Sequence, residues 1–133
     1  MPAQDLIIAL NKDEDTVSYI GAESGETVSK VDVGHHPHEI GITPDGGTSY
    51  VSNAMGNTVS VIDNESMSER ERLEHPDWFF PHDIKISPDG KKLYLAVTYT
   101  HKVYIYELPW HRVLKRVPTG RRTGDIVLTT RGM

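Results

Sequence analysis

An internal repeat constrains the fold of this 133-residue chain more than any other feature. Residues 37–63 align with residues 81–107 at an offset of 44, and nine of the 27 aligned pairs are identical. Ordinary residue usage would give roughly two identities in such an alignment. The identical pairs are Pro37/Pro81, His38/His82, Ile40/Ile84, Ile42/Ile86, Pro44/Pro88, Asp45/Asp89, Gly46/Gly90, Tyr50/Tyr94 and Val59/Val103.

Partial copies flank these two units. Residues 16–20 match residues 58–62 at an offset of 42, and residues 120–129 match residues 34–43 at an offset of 86. A period of 42–44 residues fits a four-stranded propeller blade of about 40–45 residues.

The local pattern within each copy is typical of β-strands joined by tight turns. Ile40/Ile42 and Ile84/Ile86 alternate at period two, and Thr43-Pro44-Asp45-Gly46 has the residues of a hairpin turn. The pattern predicts twelve strands near 6–10, 16–20, 27–33, 38–43, 48–53, 57–63, 67–73, 82–87, 92–97, 101–107, 112–117 and 124–129.

One of these strands has a competing interpretation. Ser66-Met67-Ser68-Glu69 matches a helix capping box, and residues 69–74 suit a helix. The repeat register requires the outer strand of a blade at 67–73, and we therefore predict a strand.

The predicted fold is all-β, a β-propeller segment of three four-stranded blades in a single domain, 1–133. Blades lie near 1–37, 38–81 and 82–123, and the first strand of a further repeat lies at 124–129. Propellers typically close with about 4–8 blades, so three leave apolar faces bare. Either the chain is a piece of a longer protein, or copies associate. We favour a homo-oligomer, a dimer that completes a six-bladed ring.

The motifs of the repeat resemble those of the YVTN β-propeller family. They are Val33-Gly34, Pro37-His38, Thr43-Pro44-Asp45-Gly46, Ser49-Tyr50-Val51-Ser52-Asn53 and Asn57-Thr58-Val59-Ser60-Val61-Ile62-Asp63. The third blade departs from the pattern, because Tyr94-Leu95-Ala96-Val97 lacks the asparagine. The resemblance implies a propeller related to surface-layer proteins, to the haem-binding domain of cytochrome nitrite reductases and to propeller lactonases. Members of the family are often exported to the periplasm or cell surface.

Three loops that lead into innermost strands diverge, although the surrounding scaffold repeats. They read Gly34-His35-His36-Pro37-His38, Trp78-Phe79-Phe80-Pro81-His82 and Gly120-Arg121-Arg122-Thr123-Gly124. In a propeller such loops ring one mouth of the central channel, and divergence over a constant frame is typical of a functional surface. The predicted ligand-binding residues are His35, His36, His38, Trp78, Phe79, Phe80, His82, Arg121 and Arg122.

Imidazole, ring faces and guanidinium together suit a small anionic or planar ligand, such as a tetrapyrrole. Each group also has a structural interpretation. His38 and His82 would buttress the starts of strands, His35 and His36 would be solvated turn residues, Trp78-Phe79-Phe80 would pack between blades, and Arg121-Arg122 would form a solvated turn.

Composition removes several classes of function. The net charge of −5 argues against nucleic acid as a partner, and no apolar run is long enough to span a membrane. No cysteine is present, and no secretory signal is visible at the start, so the sequence assigns no compartment.

No catalytic signature stands out, so we assign neither catalytic residues nor a metal site, leave the cofactor open, and make no decision on enzymatic activity. The favoured function is a ligand- or protein-binding scaffold that works through the loops at the channel mouth. The alternatives are a lactonase-like hydrolase or a haem-binding reductase-type propeller fragment, and a structural surface-layer or adhesion repeat.

Overall fold

A computed structural model describes residues 5–129 and shows eleven β-strands in three antiparallel sheets. The first sheet has three strands, and the second and third have four each. Consecutive strands are neighbours in every sheet, which is the meander of a propeller blade. The strands are β1 (Leu6–Asn11), β2 (Thr16–Gly21), β3 (Thr27–Asp32), β4 (Pro37–Ile42), β5 (Thr48–Asn53), β6 (Thr58–Asp63), β7 (Ser68–Glu74), β8 (Pro81–Ile86), β9 (Lys92–Val97), β10 (Lys102–Glu107) and β11 (Arg112–Pro118).

The all-β propeller prediction is confirmed, including the strand at 68–74 where a helix competed. The only helical element among residues 5–129 is a single 3-10 turn at Thr98–Thr100. No helix in this part of the chain has the length and apolarity needed to cross a bilayer.

The predicted twelfth strand, at 124–129, is wrong for the described chain. This segment has no ladder partner and lies beside β8, where the backbone N–H of Ile126 donates to Asp83 Oδ2 at 2.9 Å. The reason is that a strand exists only with a neighbour to pair with. In the repeat register 124–129 is an innermost strand, and the second strand that would pair with it is not among the described residues.

Alternate side chains of the second sheet point to opposite faces, so this sheet contributes to two separate hydrophobic cores. Val59 and Val61 of β6 lie in the apolar cluster shared with the third sheet, whereas Val51 and Ile62 lie in the cluster shared with the first sheet. All four side chains are at most 1% exposed. The second sheet is therefore covered on both faces, as a blade inside a propeller must be.

The turns bond as their residues predict. Asp45 Oδ1 accepts from Thr43 Oγ1 at 2.6 Å and from the Gly47 N–H at 2.9 Å, while Gly46 takes a φ of 76°. These bonds hold the pKa of the Asp45 carboxyl below its usual value. The turn Ser87–Gly90 repeats this arrangement.

The asparagine of the repeat motif also has a structural role. Asn53 Nδ2 donates to Thr58 Oγ1 at 3.0 Å and to Ser60 Oγ at 2.9 Å, which ties β5 to β6. Asn11 repeats both bonds in the first sheet, to Thr16 and Ser18. The third sheet has Val97 at this position and is held there by apolar burial instead.

Candidate functional site

The three divergent loops, here called the approach loops, share one backbone geometry although their side chains differ. Each contains a non-glycine residue in the left-handed region: His36 (φ 62°), Phe80 (φ 65°) and Arg122 (φ 54°). Such residues are uncommon and need support from their surroundings.

That support is the same hydrogen bond made by three different acceptors. In each case the N–H of the left-handed residue donates to a side chain in a turn of the preceding blade. These turns join β1 to β2, β5 to β6 and β9 to β10. The bonds are His36 N to Asp15 Oδ1 (2.9 Å), Phe80 N to Asn57 Oδ1 (3.1 Å) and Arg122 N to His101 Nδ1 (2.9 Å). The loops are thus fixed to the scaffold by backbone, which leaves their side chains free to differ.

Irregular pairing at the starts of β4 and β8 turns two histidines toward each other. The β4–β5 register shifts between Pro37 and Glu39, and the β8–β9 register shifts between Pro81 and Ile84. Such bulges re-aim side chains that a regular strand would send to opposite faces. The ring centroids of His38 and His82 lie 4.2 Å apart.

Both imidazoles are largely buried and incompletely bonded. Their side chains are 19% and 18% exposed, and neither Nδ1 atom has a hydrogen-bond partner among the described residues. The nearest carboxylate oxygens are Glu39 Oε1, 3.6 Å from His38 Nδ1, and Asp125 Oδ1, 3.8 Å from His82 Nδ1. Buried polar atoms without partners cost about 1–3 kcal/mol each, so these nitrogens suit a bound water, ion or ligand.

Burial, followed by the neighbouring His82, lowers the pKa of His38 below the usual histidine value, although Asp125 opposes the shift. At neutral pH His38 is therefore the neutral imidazole, which has a lone pair to offer. The buttress interpretation explains the position of both rings at strand starts, but it does not explain their unpartnered nitrogens.

Aromatic side chains extend from this pair across two approach loops. Phe80 lies 6.1 Å from both His38 and His82 and stacks on His82 at an interplanar angle of 29°. On its other side Phe80 meets Tyr99 edge-on at 5.4 Å, and the Arg122 guanidinium lies 5.9 Å from the Tyr99 ring centroid. With His36, which is 5.8 Å from His38, these residues form the mouth cluster: His36, His38, Phe80, His82, Tyr99 and Arg122.

The structure does not bring the remaining predicted residues into this cluster. Trp78 is 4% exposed, lies in the core between the second and third sheets and donates from Nε1 to the Tyr106 hydroxyl at 3.0 Å. His35 points to Asp15, with 3.1 Å between Nδ1 and Oδ1. Phe79 and Arg121 are exposed beside the cluster.

Sequence reasoning missed Tyr99, and it paired Glu39 with His38 without counting Glu39 among the ligand-binding residues. Tyr99 lies in the 3-10 turn after β9, outside the approach loops. The signal was available, because this turn corresponds to the one that carries Asn57. Glu39 follows His38 directly, and only the bulge brings its carboxylate to the same side as the ring.

One set of side chains in residues 5–129 has the composition of a metal centre. A ring nitrogen of His38, a ring nitrogen of His82 and a carboxylate oxygen of Glu39 all lie within 4.8 Å of one another. Separately, an apolar cavity of about 150 Å³ lies between the second and third sheets. Its lining includes Leu73, Trp78 and Tyr106 and no residue of the mouth cluster.

Comparison with solved structures gives the same architecture. Hydrazine synthase from Kuenenia stuttgartiensis is similar over 87% of this chain, with a TM-score of 0.80 and 26% identity. U3-55K matches over 88% with a TM-score of 0.77 and 12% identity. Dihydro-heme d1 dehydrogenase NirN, solved in complex with DHE, matches over 86% with a TM-score of 0.73 and 13% identity.

The chain spans only 33%, 37% and 24% of those three proteins, in that order. At 12–13% identity, the last two likenesses concern the fold alone. Comparison with curated protein sequences gives no significant match.

A family model agrees with the resemblance that the repeat motifs carry. The model described as a YNCE-like beta-propeller matches residues 1–131, almost the whole sequence. Together with the blades, turns and asparagine bonds described above, this confirms a YVTN-type propeller, and the chain belongs to the YNCE-like beta-propeller family.

Proposed function

We propose that this protein is a binding module that holds a planar, anionic ligand on the mouth cluster. The observation that carries the proposal is the continuous contact from the His38–His82 pair through Phe80 to Tyr99 and Arg122. Ring faces offer stacking area, and a guanidinium at one end offers two parallel hydrogen bonds to a carboxylate.

A titration with protoporphyrin IX tests this proposal, because that probe is planar, has two carboxylates and contains no iron. We expect saturable binding that Arg122→Gln weakens. Arg121→Gln is the matched control, since it removes the same charge from the same loop, and we expect a smaller effect there. Equal effects of the two variants, or no saturable binding, would contradict the proposal.

A haem-binding propeller is the second candidate, and the unpartnered Nδ1 atoms of His38 and His82 favour it. Neutral imidazole is a common axial ligand of haem iron. We expect haemin to bind with a shifted Soret band in the parent chain. The shift should disappear in His82→Gln while protoporphyrin IX still binds. An identical haemin spectrum in His82→Gln would exclude ligation by this residue.

We further propose that a second copy of the chain completes the propeller. In the repeat register β1 takes the place of a blade's second strand, and it pairs only with β2 among residues 5–129. Residues 124–129 take the place of a first strand but belong to no sheet there. A four-stranded blade needs both positions, so residues 124–129 of one copy would pair with β1 of the next copy and complete its first sheet. Two copies with three blades each would close a ring of six.

The repeat fixes the register of this pairing. In the second sheet Gly41 lies opposite Tyr50, and in the third sheet Lys85 lies opposite Tyr94. The equivalent residues are Val127 and Ile8, so Val127 of one copy should face Ile8 of the second copy.

Engineered cysteines test the pairing directly, because the chain has none of its own. Under mild oxidation, the double variant Ile8→Cys/Val127→Cys should give a covalent dimer on a non-reducing gel. The control Leu10→Cys/Val127→Cys is displaced by two residues along the strand, beyond the usual disulfide geometry. Equal cross-linking of both variants, or none in the first, would contradict the register.

A further inference from the structure

The strongest unassigned feature is the meeting of two unpartnered imidazole nitrogens with a carboxylate at the start of β4. Glu39 makes no side-chain hydrogen bond among the described residues, and its one close charged contact is with His38 Nδ1 at 3.6 Å. The equivalent residue of the third sheet is used differently. Asp83 is 3% exposed, and its carboxylate accepts from the backbone N–H of Ile84 and of Ile126.

The difference between these two positions indicates why only one of them is free for a ligand. The carboxylate of Asp83 holds backbone, whereas the longer side chain of Glu39 is 38% exposed and remains beside the histidines. The same repeat position thus stabilises the backbone in the third sheet and is available for metal coordination in the second sheet.

We propose that His38, His82 and Glu39 form a binding site for a late first-row divalent cation of the Zn²⁺, Cu²⁺ or Ni²⁺ class. Two imidazoles with one carboxylate suit these ions, while Ca²⁺ and Mg²⁺ prefer oxygen ligands alone. Three protein ligands leave one tetrahedral position open for water or a ligand.

The geometry is close to what coordination needs. With metal–ligand bonds of about 2.0–2.2 Å, neighbouring ligands in a tetrahedral site lie roughly 3.3–3.5 Å apart. The three donor atoms already lie within 4.8 Å of one another, and one pair is at 3.6 Å. Coordination would require side-chain rotations that close the remaining distance.

Contacts with the scaffold and an acidic neighbour surround the donors. Glu39 is fixed at its backbone, where its N–H donates to Ser52 Oγ at 3.1 Å. Asp125 Oδ1, 3.8 Å from His82 Nδ1, places a second carboxylate beside the site.

Calorimetric titration of the full chelator-treated chain with Zn²⁺ tests the site. We expect one saturable site per chain, weakened at least about tenfold by His82→Gln and by Glu39→Gln. His75→Gln is the control, because it removes a histidine that lies outside the cluster. Circular dichroism of each metal-free variant checks the fold, and if His82→Gln fails to fold, the half-exposed Glu39→Gln decides. Absence of saturable binding, or unchanged affinity in Glu39→Gln, overturns the three-ligand site.

Cu²⁺ provides a second measurement that counts ligands. Its electron paramagnetic resonance spectrum should show nitrogen coupling from two imidazoles in the parent chain and from one in His82→Gln. Equal nitrogen coupling in both proteins overturns the assignment. The metal site rests on the proposed binding function only in one respect, which is that the metal and the planar ligand would both use residues of the mouth cluster. Protoporphyrin IX binding without Zn²⁺ binding refutes the metal site alone, and the reverse result refutes the planar-ligand proposal alone.

Discussion

The second sheet and the first sheet come from the same repeat but have different surroundings. Val51 and Ile62 pack toward the first sheet, Val59 and Val61 pack toward the third, and all are buried. Among residues 5–129, the first sheet has apolar neighbours packed on one face and not on the other. Ile7, opposite Ile20 on the other face, is 51% exposed.

This difference indicates that a blade depends on its neighbours for the burial of its apolar side chains. Each sheet buries its apolar residues only to the extent that a neighbour stands beside it, as in other repeat architectures. The third sheet has the same deficit on its outer face, where Val103 is half-buried and Val117 is 40% exposed. Both bare faces carry exposed apolar side chains, which suits them to pack against each other in the proposed closed ring.

The largest effect is expected from a charge on the bare face of the first sheet. In the proposed dimer Ile7→Asp would bury an unpaired carboxylate, at a cost of several kcal/mol. Sedimentation velocity should therefore show the parent chain as a dimer and Ile7→Asp as a folded monomer. A variant that remains dimeric would place the interface elsewhere.

A smaller effect separates the covered sheet from the open one. Val59→Ala removes two methyl groups from a 1% exposed site and should cost about 1–3 kcal/mol of unfolding free energy. Val28→Ala makes the same deletion at a 46% exposed site in β3 and should cost at most about 0.5 kcal/mol. Urea denaturation in the monomeric Ile7→Asp background compares the two, because a second copy would cover this face in the parent. Equal losses there would show that the first sheet is covered on both faces within one chain.

The bonds that fix the approach loops should each contribute about 1 kcal/mol. Asn57→Ala removes the acceptor for the Phe80 N–H, and it leaves alanine at a φ of 58°. Asn57→Asp keeps an acceptor oxygen and copies Asp15 of the first blade, so it should preserve stability. If both variants unfold at the same urea concentration as the parent, the bond does not stabilise the loop.

The smallest effect concerns pH and the contact between the second and third sheets. His111 Nε2 lies 2.9 Å from the Tyr50 hydroxyl, and Glu71 Oε1 of β7 lies 3.9 Å from His111 Nδ1, with the charge of Arg70 also acting on the ring. Burial lowers the pKa of His111 below 6.5, and Glu71 opposes the shift while Arg70 adds to it. Stability is therefore present above the unfolded-state pKa of 6.5 and is lost as pH falls through the lowered folded-state value.

Urea midpoints at about pH 7.5 and about pH 5.5 measure this dependence, which spans the histidine range. Asparagine tolerates the left-handed backbone at this position (φ 61°), so His111→Asn should fold and should reduce the loss of stability between the two pH values. The remaining loss would come from His38, whose pKa is lowered in the same direction. An unchanged loss in His111→Asn would assign the whole dependence to other groups.

The sequence predicts the scaffold well because the scaffold is local. Period-two alternation and proline-aspartate-glycine turns place β5 at residues 48–53, as the structure has it. The equivalence of Asp15, Asn57 and His101 could not be predicted, because three different side chains make one backbone bond.

The candidate site is only partly predictable for a related reason. Loop divergence predicts His38, Phe80 and His82, but the proximity of Glu39 to the two histidines depends on a bulge that the sequence does not reveal. Trp78 lies in the same loop as Phe80 and yet packs into the core. In an irregular loop, side chains two residues apart can point in opposite directions.

Static light scattering of the 133-residue chain tests the central proposal most directly, which is that a second copy covers the bare blade faces and pairs with residues 124–129. Such a dimer predicts a species of twice the 14.9 kDa chain mass at micromolar concentration. A stable, soluble species of one chain mass would contradict it.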